Sequence, residues 1–172
     1  MKPIIFAFTA LGLMIAAGTL ASAAPVKAPV TVTLLQDPTL AKFGAVPGVP
    51  PCVTMASLRG SLATGPATVM VRMTQGCVVP YHWHTPSEEL IILRGSPLGQ
   101  MRGERPVILK LGSYSQLPSK HVHRFRCESK EACVMALVTG GIFDIHFVGG
   151  DGKEISTTAA IALAEKSGKT RW

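Results

Sequence analysis

Residues 76–95 read GCVVPYHWHTPSEELIILRG, and this stretch carries the pattern that decides the fold. His82 and His84 are two positions apart, so in a β-strand both side chains project from the same face. Glu88 has the same parity as His84 and follows the Thr85–Pro86 bend, so its carboxylate can turn toward the two imidazoles. Imidazole nitrogens and a carboxylate are ligands that divalent transition metals accept. The stretch therefore predicts part of a metal site built on β-structure.

The spacing of this stretch is also that of a known family motif. Written as Gly76-x5-His82-x-His84-x3-Glu88-x6-Gly95, it resembles the first motif of the cupin superfamily at every named position.

A second stretch, residues 112–127, reads GSYSQLPSKHVHRFRC and supplies the obvious third imidazole, His123. It resembles the second cupin motif, matching at Gly112, Pro118 and His123. The family's usual glycine is replaced by Lys120 and its usual asparagine by Cys127, and neither change removes a ligand. The whole resemblance covers about residues 50–148.

The resemblance implies an all-β fold, a single-domain jelly-roll (cupin) barrel. It implies one divalent metal ion per chain, of Mn, Fe, Co, Ni, Cu or Zn. The implied ligands are His82, His84, Glu88 and His123. A homodimer is a further expectation, which unpaired sheet edges and an apolar N-terminal arm support.

Cupins perform many reactions, so the resemblance alone assigns none. We expect a metal-binding protein of unassigned activity that takes a small-molecule ligand. One alternative is a metal-dependent oxidoreductase, lyase or isomerase, dioxygenase- or decarboxylase-like, acting on a small oxygenated or carboxylated substrate. Another is a binding or sensor protein without turnover. An enzyme would need a general acid or base, for which Tyr81, His121 and Glu89 are the nearby candidates.

Several residues have a second interpretation. The three histidines and Glu88 would also suit a hydrogen-bonded polar cluster without metal. Glu89 replaces Glu88 if the strand slips by one residue. His121 is expected to face solvent or to support a ligand, and a ligand role of its own is the alternative. His146 is an ordinary half-buried histidine or orients a ligand through its second nitrogen.

The rest of the chain alternates short β-type runs with turn signals, which favours an all-β sandwich or barrel. The predicted strands are Val53–Leu58, Ala67–Met73, Val78–His84, Glu89–Leu93, Val107–Leu111, Tyr114–Leu117, His123–Arg126, Val134–Val138 and Phe143–Val148. Residues 94–103 are predicted as a connection. Ser156 and the following alanine-rich segment predict a short C-terminal helix that ends at Gly168.

The N-terminus has the pattern of a secretory signal peptide. Lys2 precedes an uncharged apolar run, and Ala21-Ser22-Ala23 provides small residues for cleavage. The predicted divisions are a signal peptide over 1–23, an extended arm over 24–50, a cupin barrel over 51–150, and a helix and tail over 151–172. A strand around Thr31–Leu35 is expected in the arm. The mature protein would be periplasmic or secreted; a retained membrane anchor is the alternative.

All four cysteines lie in the mature part, and an even number in an exported protein allows two disulfides. Cys127 and Cys133 flank a polar loop between two β-type runs, so they are the favoured pair. Cys52 and Cys77 then form the second pair. A zinc site made from these cysteines is disfavoured, because the sequence contains no CxxC pair.

Composition excludes some classes of protein. With 47% hydrophobic and 16% charged residues, the 172-residue chain has the composition of a folded domain rather than of a disordered segment. The formal net charge is +7, but the basic residues are scattered without interleaved aromatics, so nucleic acid is not an expected partner. Nor is a membrane expected once the signal is removed.

Arg124 and Arg126, beside His123, are candidates for holding a substrate carboxylate.

Overall fold

The computed structural model of the protein describes residues 41–167, which form two antiparallel β-sheets and one helix. The first sheet has five strands, in the spatial order β1 (Val53–Gly60), β2 (Ala67–Met73), β9 (Cys133–Thr139), β4 (Glu88–Arg94) and β7 (Tyr114–Leu117). The second has six strands, in the order β11 (Glu154–Ile155), β10 (His146–Val148), β3 (Val78–Trp83), β8 (His123–Cys127), β5 (Pro97–Met101) and β6 (Val107–Ile108). Helix α1 (Thr157–Ser167) follows the last strand. This architecture fits a jelly roll, as predicted.

The core lies between the two sheets because side chains alternate across each strand. In β2, Ala67, Val69, Val71 and Met73 are buried, whereas the residues between them are not. Strands β4 and β9 follow the same alternation and are paired with each other. Phe125 and Phe147 of the six-stranded sheet complete this apolar interior.

The two predicted disulfide pairs are confirmed, and both connect one sheet to the other. Cys52, just before β1, is bonded to Cys77, just before β3. Cys127 ends β8 and is bonded to Cys133, which begins β9. The Cys127 N–H donates to the Cys77 carbonyl over 3.0 Å, so the two cystines share one end of the sandwich.

Helix α1 begins where the sequence predicts. The Ser156 hydroxyl accepts a hydrogen bond from the Ala159 N–H over 3.2 Å, which is the contact of an N-cap. Its buried alanines, Ala160 and Ala164, are on the side of α1 that packs against β3 and β10. None of the helices in residues 41–167 is long and apolar enough to cross a membrane.

Other elements differ from the prediction. Strand β5 occupies part of the region predicted as a connection, and β11 was not predicted. The runs Val107–Leu111 and Phe143–Val148 contribute only the short strands β6 and β10. The predicted signal peptide, the strand around Thr31–Leu35 and the helix end at Gly168 lie outside the described residues.

Candidate metal centre

The structure brings together three of the four predicted ligands through the pairing of two strands. His82 of β3 lies directly opposite His123, the first residue of β8. His84 follows β3 by one residue, and the three rings are 4.3 to 5.4 Å apart between centroids. One nitrogen from each ring lies within 4.8 Å of the other two. This spacing is close enough for one metal ion to lie among them.

The backbone fixes which nitrogen each ring presents. The Nδ1 atoms of His82 and His123 lie 2.7 and 2.8 Å from the carbonyls of Pro80 and His121. That of His84 lies against the carbonyl of Asp144. Because a carbonyl oxygen can only accept, each Nδ1 carries the hydrogen and donates it. The lone pair of each neutral ring is therefore on Nε2, the atom left for a metal.

The fourth predicted ligand comes from the other sheet. Glu88 is the first residue of β4 and is 4% exposed, and its Oε2 lies 3.3 Å from His84 Nε2. Its Oε1 and His123 Nε2 are buried and have no hydrogen-bond partner among the described residues. Glu89, the alternative, is exposed on the outer face of the same strand. We call His82, His84, Glu88 and His123 together the candidate metal centre.

Burial sets the charges in the candidate metal centre. It lowers the pKa of His82 well below 6.5, that of His84 to about 4 and that of His123 to about 3, because a charged ring is poorly solvated there. Burial also raises the pKa of Glu88 to about 8, with a further contribution from the charge of Asp144. Without a cation the imidazoles are thus neutral at pH 7 and Glu88 retains its proton. A divalent ion would reverse the preference of Glu88.

These atoms fit a transition-metal ion. Three buried imidazole nitrogens with free lone pairs and one carboxylate converge, and two of these polar atoms are otherwise unsatisfied. Buried polar atoms without partners are costly, and a metal ion would satisfy them. Four protein ligands leave coordination positions open in an octahedral site.

Asp144, on the connection between β9 and β10, supports the centre from outside it. Its carbonyl accepts the Nδ1 hydrogen of His84, and its Oδ1 accepts the Thr85 N–H over 2.7 Å. His146 is half-buried, stacks on Trp83 at 3.9 Å and contacts the Asp144 carboxylate at 3.4 Å. The orienting role considered for His146 therefore belongs to the Asp144 backbone. Asp144 lies 60 residues beyond His84, and no local spacing in the sequence indicates the contact.

Lys120, the residue that replaces the family's glycine, adopts the glycine conformation with a φ of 59°. Its N–H donates to the His84 carbonyl over 2.8 Å, which connects the turn before β8 to the end of β3. His121 is exposed, as predicted, and contributes only its carbonyl, to His123.

The residues considered for substrate binding and proton transfer lie elsewhere. Arg124 and Arg126 alternate with the buried residues of β8 and so face away from the interior. Arg124 donates to the Gln100 side chain and lies 4.5 Å from the Tyr81 ring, while Arg126 contacts Glu128 at 3.1 Å. The expectation that they hold a carboxylate at the metal is wrong, because strand parity places them on the opposite face. Tyr81, Glu89 and His121 do not line the interior cavity either.

Comparison with known proteins agrees with this fold. A sequence model described as the ChrR cupin-like domain matches residues 37–142. The polyketide cyclase RemF from Streptomyces resistomycificus is 19% identical, with a TM-score of 0.58 over 69% of this chain and 88% of that chain. A cupin-like protein from Thermotoga maritima msb8 is 21% identical, with a TM-score of 0.50 over 65% of this chain and 84% of that chain.

The DMSP lyase DddQ from Ruegeria pomeroyi DSS-3 is 20% identical, with a TM-score of 0.55 over 67% of this chain. This chain covers only 64% of the length of that lyase. At such identities the likeness shows the fold and not the activity. The chain has no match among curated proteins.

Proposed function

Because the chain belongs to the ChrR cupin-like family, we propose that it is an exported protein that binds one divalent transition-metal ion. The proposed ligands are His82, His84, Glu88 and His123. When bound, the ion would offer open coordination positions to a small ligand and polarise it.

One observation carries the proposal. Three backbone carbonyls orient three buried histidines so that every Nε2 presents a lone pair to the same space. A polar cluster without metal would need donors for these lone pairs, and the described residues offer only a protonated Glu88, 3.3 Å from His84. His123 Nε2 has no partner in the described part of the chain. A cation satisfies all the lone pairs at once.

Metal analysis of the purified mature protein tests the proposal. After loading with Mn, Fe, Co, Ni, Cu or Zn and desalting, the wild type should retain about one equivalent of at least one of them. The double variant His82→Ala/His123→Ala should retain almost none.

His121→Ala is the matched control, because His121 is exposed and its carbonyl remains after the substitution. It should retain as much metal as the wild type. If the double variant retains as much as the control, the candidate metal centre does not bind the ion.

Export rests on two observations of different kinds. Residues 1–23 have the pattern of a signal peptide, and both cysteine pairs are at bonding distance. Disulfides persist in the periplasm or outside the cell and are rare in the cytosol. Fractionation of expressing cells should place a processed chain outside the cytoplasm; an unprocessed chain in the cytosol would contradict export.

Binding or sensing is favoured over acid–base catalysis by the composition of the interior. Among residues 41–167, Glu88 is the only carboxyl group that lines the interior cavity. If it ligates the metal, no second carboxyl group there is available as a general base. We therefore assign neither DMSP cleavage nor polyketide cyclisation to this chain.

A further inference from the structure

The candidate metal centre opens onto a cavity in the barrel interior of about 60 Å³. Apart from the centre's own four residues, every described side chain that lines this cavity is apolar. Val49, Met55, Phe143 and Ile145 are half-buried and lie between the interior and solvent. The Phe143 ring lies 5.1 Å from the His84 ring, so it borders the candidate metal centre.

The volume limits what can share the cavity with an ion. A cavity of about 150 Å³ accepts a benzene molecule. The present cavity is less than half of that, and a metal ion occupies part of it. The remaining space suits a ligand of two or three heavy atoms.

The lining limits the chemistry of the ligand as well. Within residues 41–167 no lysine, arginine or hydroxyl side chain lines the cavity, so a carboxylate or hydroxyl that did not bind the metal would find no partner among them. The donor atom of the ligand must therefore be the one that binds the ion, and the rest of the ligand must tolerate an apolar surrounding.

A larger cavity of about 170 Å³ lies beside the edge strands of the six-stranded sheet. It lies between β5, β6 and β7, with Gln100, Glu104, Arg105 and Ser115 among its lining residues. Of the candidate metal centre it reaches His123 alone. The Nδ1 of that ring is bonded to the His121 carbonyl.

We propose that the open coordination positions admit only small ligands, such as water, dioxygen or a triatomic anion, and exclude aromatic and polyfunctional organic substrates. Phe143 and Met55 set this size limit as the side chains at the outer end of the cavity. This inference rests on the metal site proposed above and specifies its ligand class.

Cobalt(II) provides the readout, because its visible absorption changes when a ligand enters the coordination sphere. The mature protein loaded with Co(II) is titrated with sodium azide and, separately, with catechol, and the metal content is measured before and after each titration. Azide should shift the spectrum with saturation. Catechol should leave it unchanged over the same concentration range.

The Phe143→Ala variant should bind catechol with saturation at concentrations at least about tenfold below the highest that leaves the wild type unchanged, while azide binding stays similar. Met55→Ala is the second variant if Phe143→Ala does not fold, and it should change catechol binding in the same direction. Leu111→Ala is the control, because Leu111 is 74% exposed and does not line the cavity. This control should behave as the wild type does.

The outcomes separate the two proposals. A wild type that retains no Co(II), or any other ion, contradicts the proposed function itself. A loaded wild type that binds catechol as well as azide overturns the size limit, and one that binds neither overturns the open coordination positions. A loss of cobalt during the catechol titration, seen as a fall in metal content, would mean that catechol reaches the ion and would also overturn the limit.

Discussion

At the scale of single residues, Glu88 differs from the histidines because it comes from the five-stranded sheet and is buried with a raised pKa, about 8. We predict that Glu88→Gln lowers metal affinity by at least about tenfold, because the variant loses the only carboxylate of the candidate metal centre. Glu89→Gln, next in the chain and exposed, should change the affinity little. Competition titration with a chromogenic chelator measures both; equal affinities would exclude Glu88 as a ligand.

Lys120 offers a second test at this scale. Its φ of 59° is in the left-handed region, which costs a non-glycine residue about 1–2 kcal/mol. We expect Lys120→Gly to raise the free energy of unfolding by about 0.5–1 kcal/mol, since the gain in the folded state exceeds the entropy cost of glycine. Urea denaturation measures the change.

The control for this prediction is Lys130→Gly. Lys130 is exposed and does not have a positive φ, so glycine should leave stability unchanged or lower it there. An equal gain in both variants would show that the Lys120 backbone is not strained.

The grouping of the three histidines could be predicted from the sequence because it follows strand parity and motif spacing. His82 and His84 share a face, and His123 lies in a second motif with recognisable spacing. Asp144 could not be predicted, because its contribution is a backbone carbonyl brought to His84 by the tertiary fold. Arg124 is next to His123 in β8, so its side chain points to the opposite face of the strand. The sequence alone was therefore enough to predict that Arg124 faces away from the interior.

At the scale of elements, prediction succeeded where side chains alternate. Strands β2, β4 and β9 have that pattern. Strand β5 does not, since PLGQM contains proline and glycine. Gly99 within it is required by packing, because a Cβ there would lie 2.8 Å from Phe125 Cε1. Glycine is needed here because of Phe125 on a neighbouring strand, which the local sequence does not reveal. From the sequence alone, the proline and glycine of this segment indicate a turn.

The two cystines connect different elements and should contribute unequally to stability. Cys52 and Cys77 are 25 residues apart, whereas Cys127 and Cys133 are 6 apart. Because a disulfide restricts a longer loop of the unfolded chain more strongly, removing the first pair should cost about 3–4 kcal/mol and removing the second about 2 kcal/mol. Thermal or urea unfolding of the paired serine variants measures this order, and the reverse order would contradict the loop-entropy argument.

At the scale of the whole molecule, we predict that the buried ionisable groups give the metal-free protein a stability maximum near pH 6.5. Burial lowers the folded-state pKa of His84 to about 4 and that of His123 to about 3. Below pH 6.5 these histidines therefore bind protons in the unfolded chain but not in the folded one, and stability falls as the pH falls. Between pH 6.5 and 8 Glu88 is protonated when folded and ionised when unfolded, so stability falls as the pH rises.

The expected loss from pH 6.5 to 8 is about 1–2 kcal/mol, and Glu88→Gln should remove it. Urea unfolding in the presence of a strong chelator, from pH 5 to 8, measures the curve. A metal-free wild type with the same slope as Glu88→Gln above pH 6.5 would mean that Glu88 is ionised in the folded protein.

The positions of the cystines along the strands have a mechanical consequence. Cys77 precedes β3 and His82 is near its far end, while His123 begins β8 and Cys127 ends it. The covalent bonds between the sheets therefore lie at one end of the sandwich, and a metal ion would join the sheets at the other through Glu88. We therefore predict that loss of a bound ion would free one end only, with the cystine end acting as a hinge.

Hydrogen exchange should show this motion. After the metal is removed, the Lys120 amide, which donates to His84, and the Gly140 amide, which donates to Ser87, should exchange faster. The Cys127 amide, which donates to Cys77, should keep its rate. Uniform acceleration of exchange along the strands would rule out a hinge. A gradient in exchange rate, fastest at the metal end and unchanged at the cystine end, would mean that the ion holds together the end of the two sheets that the disulfides do not.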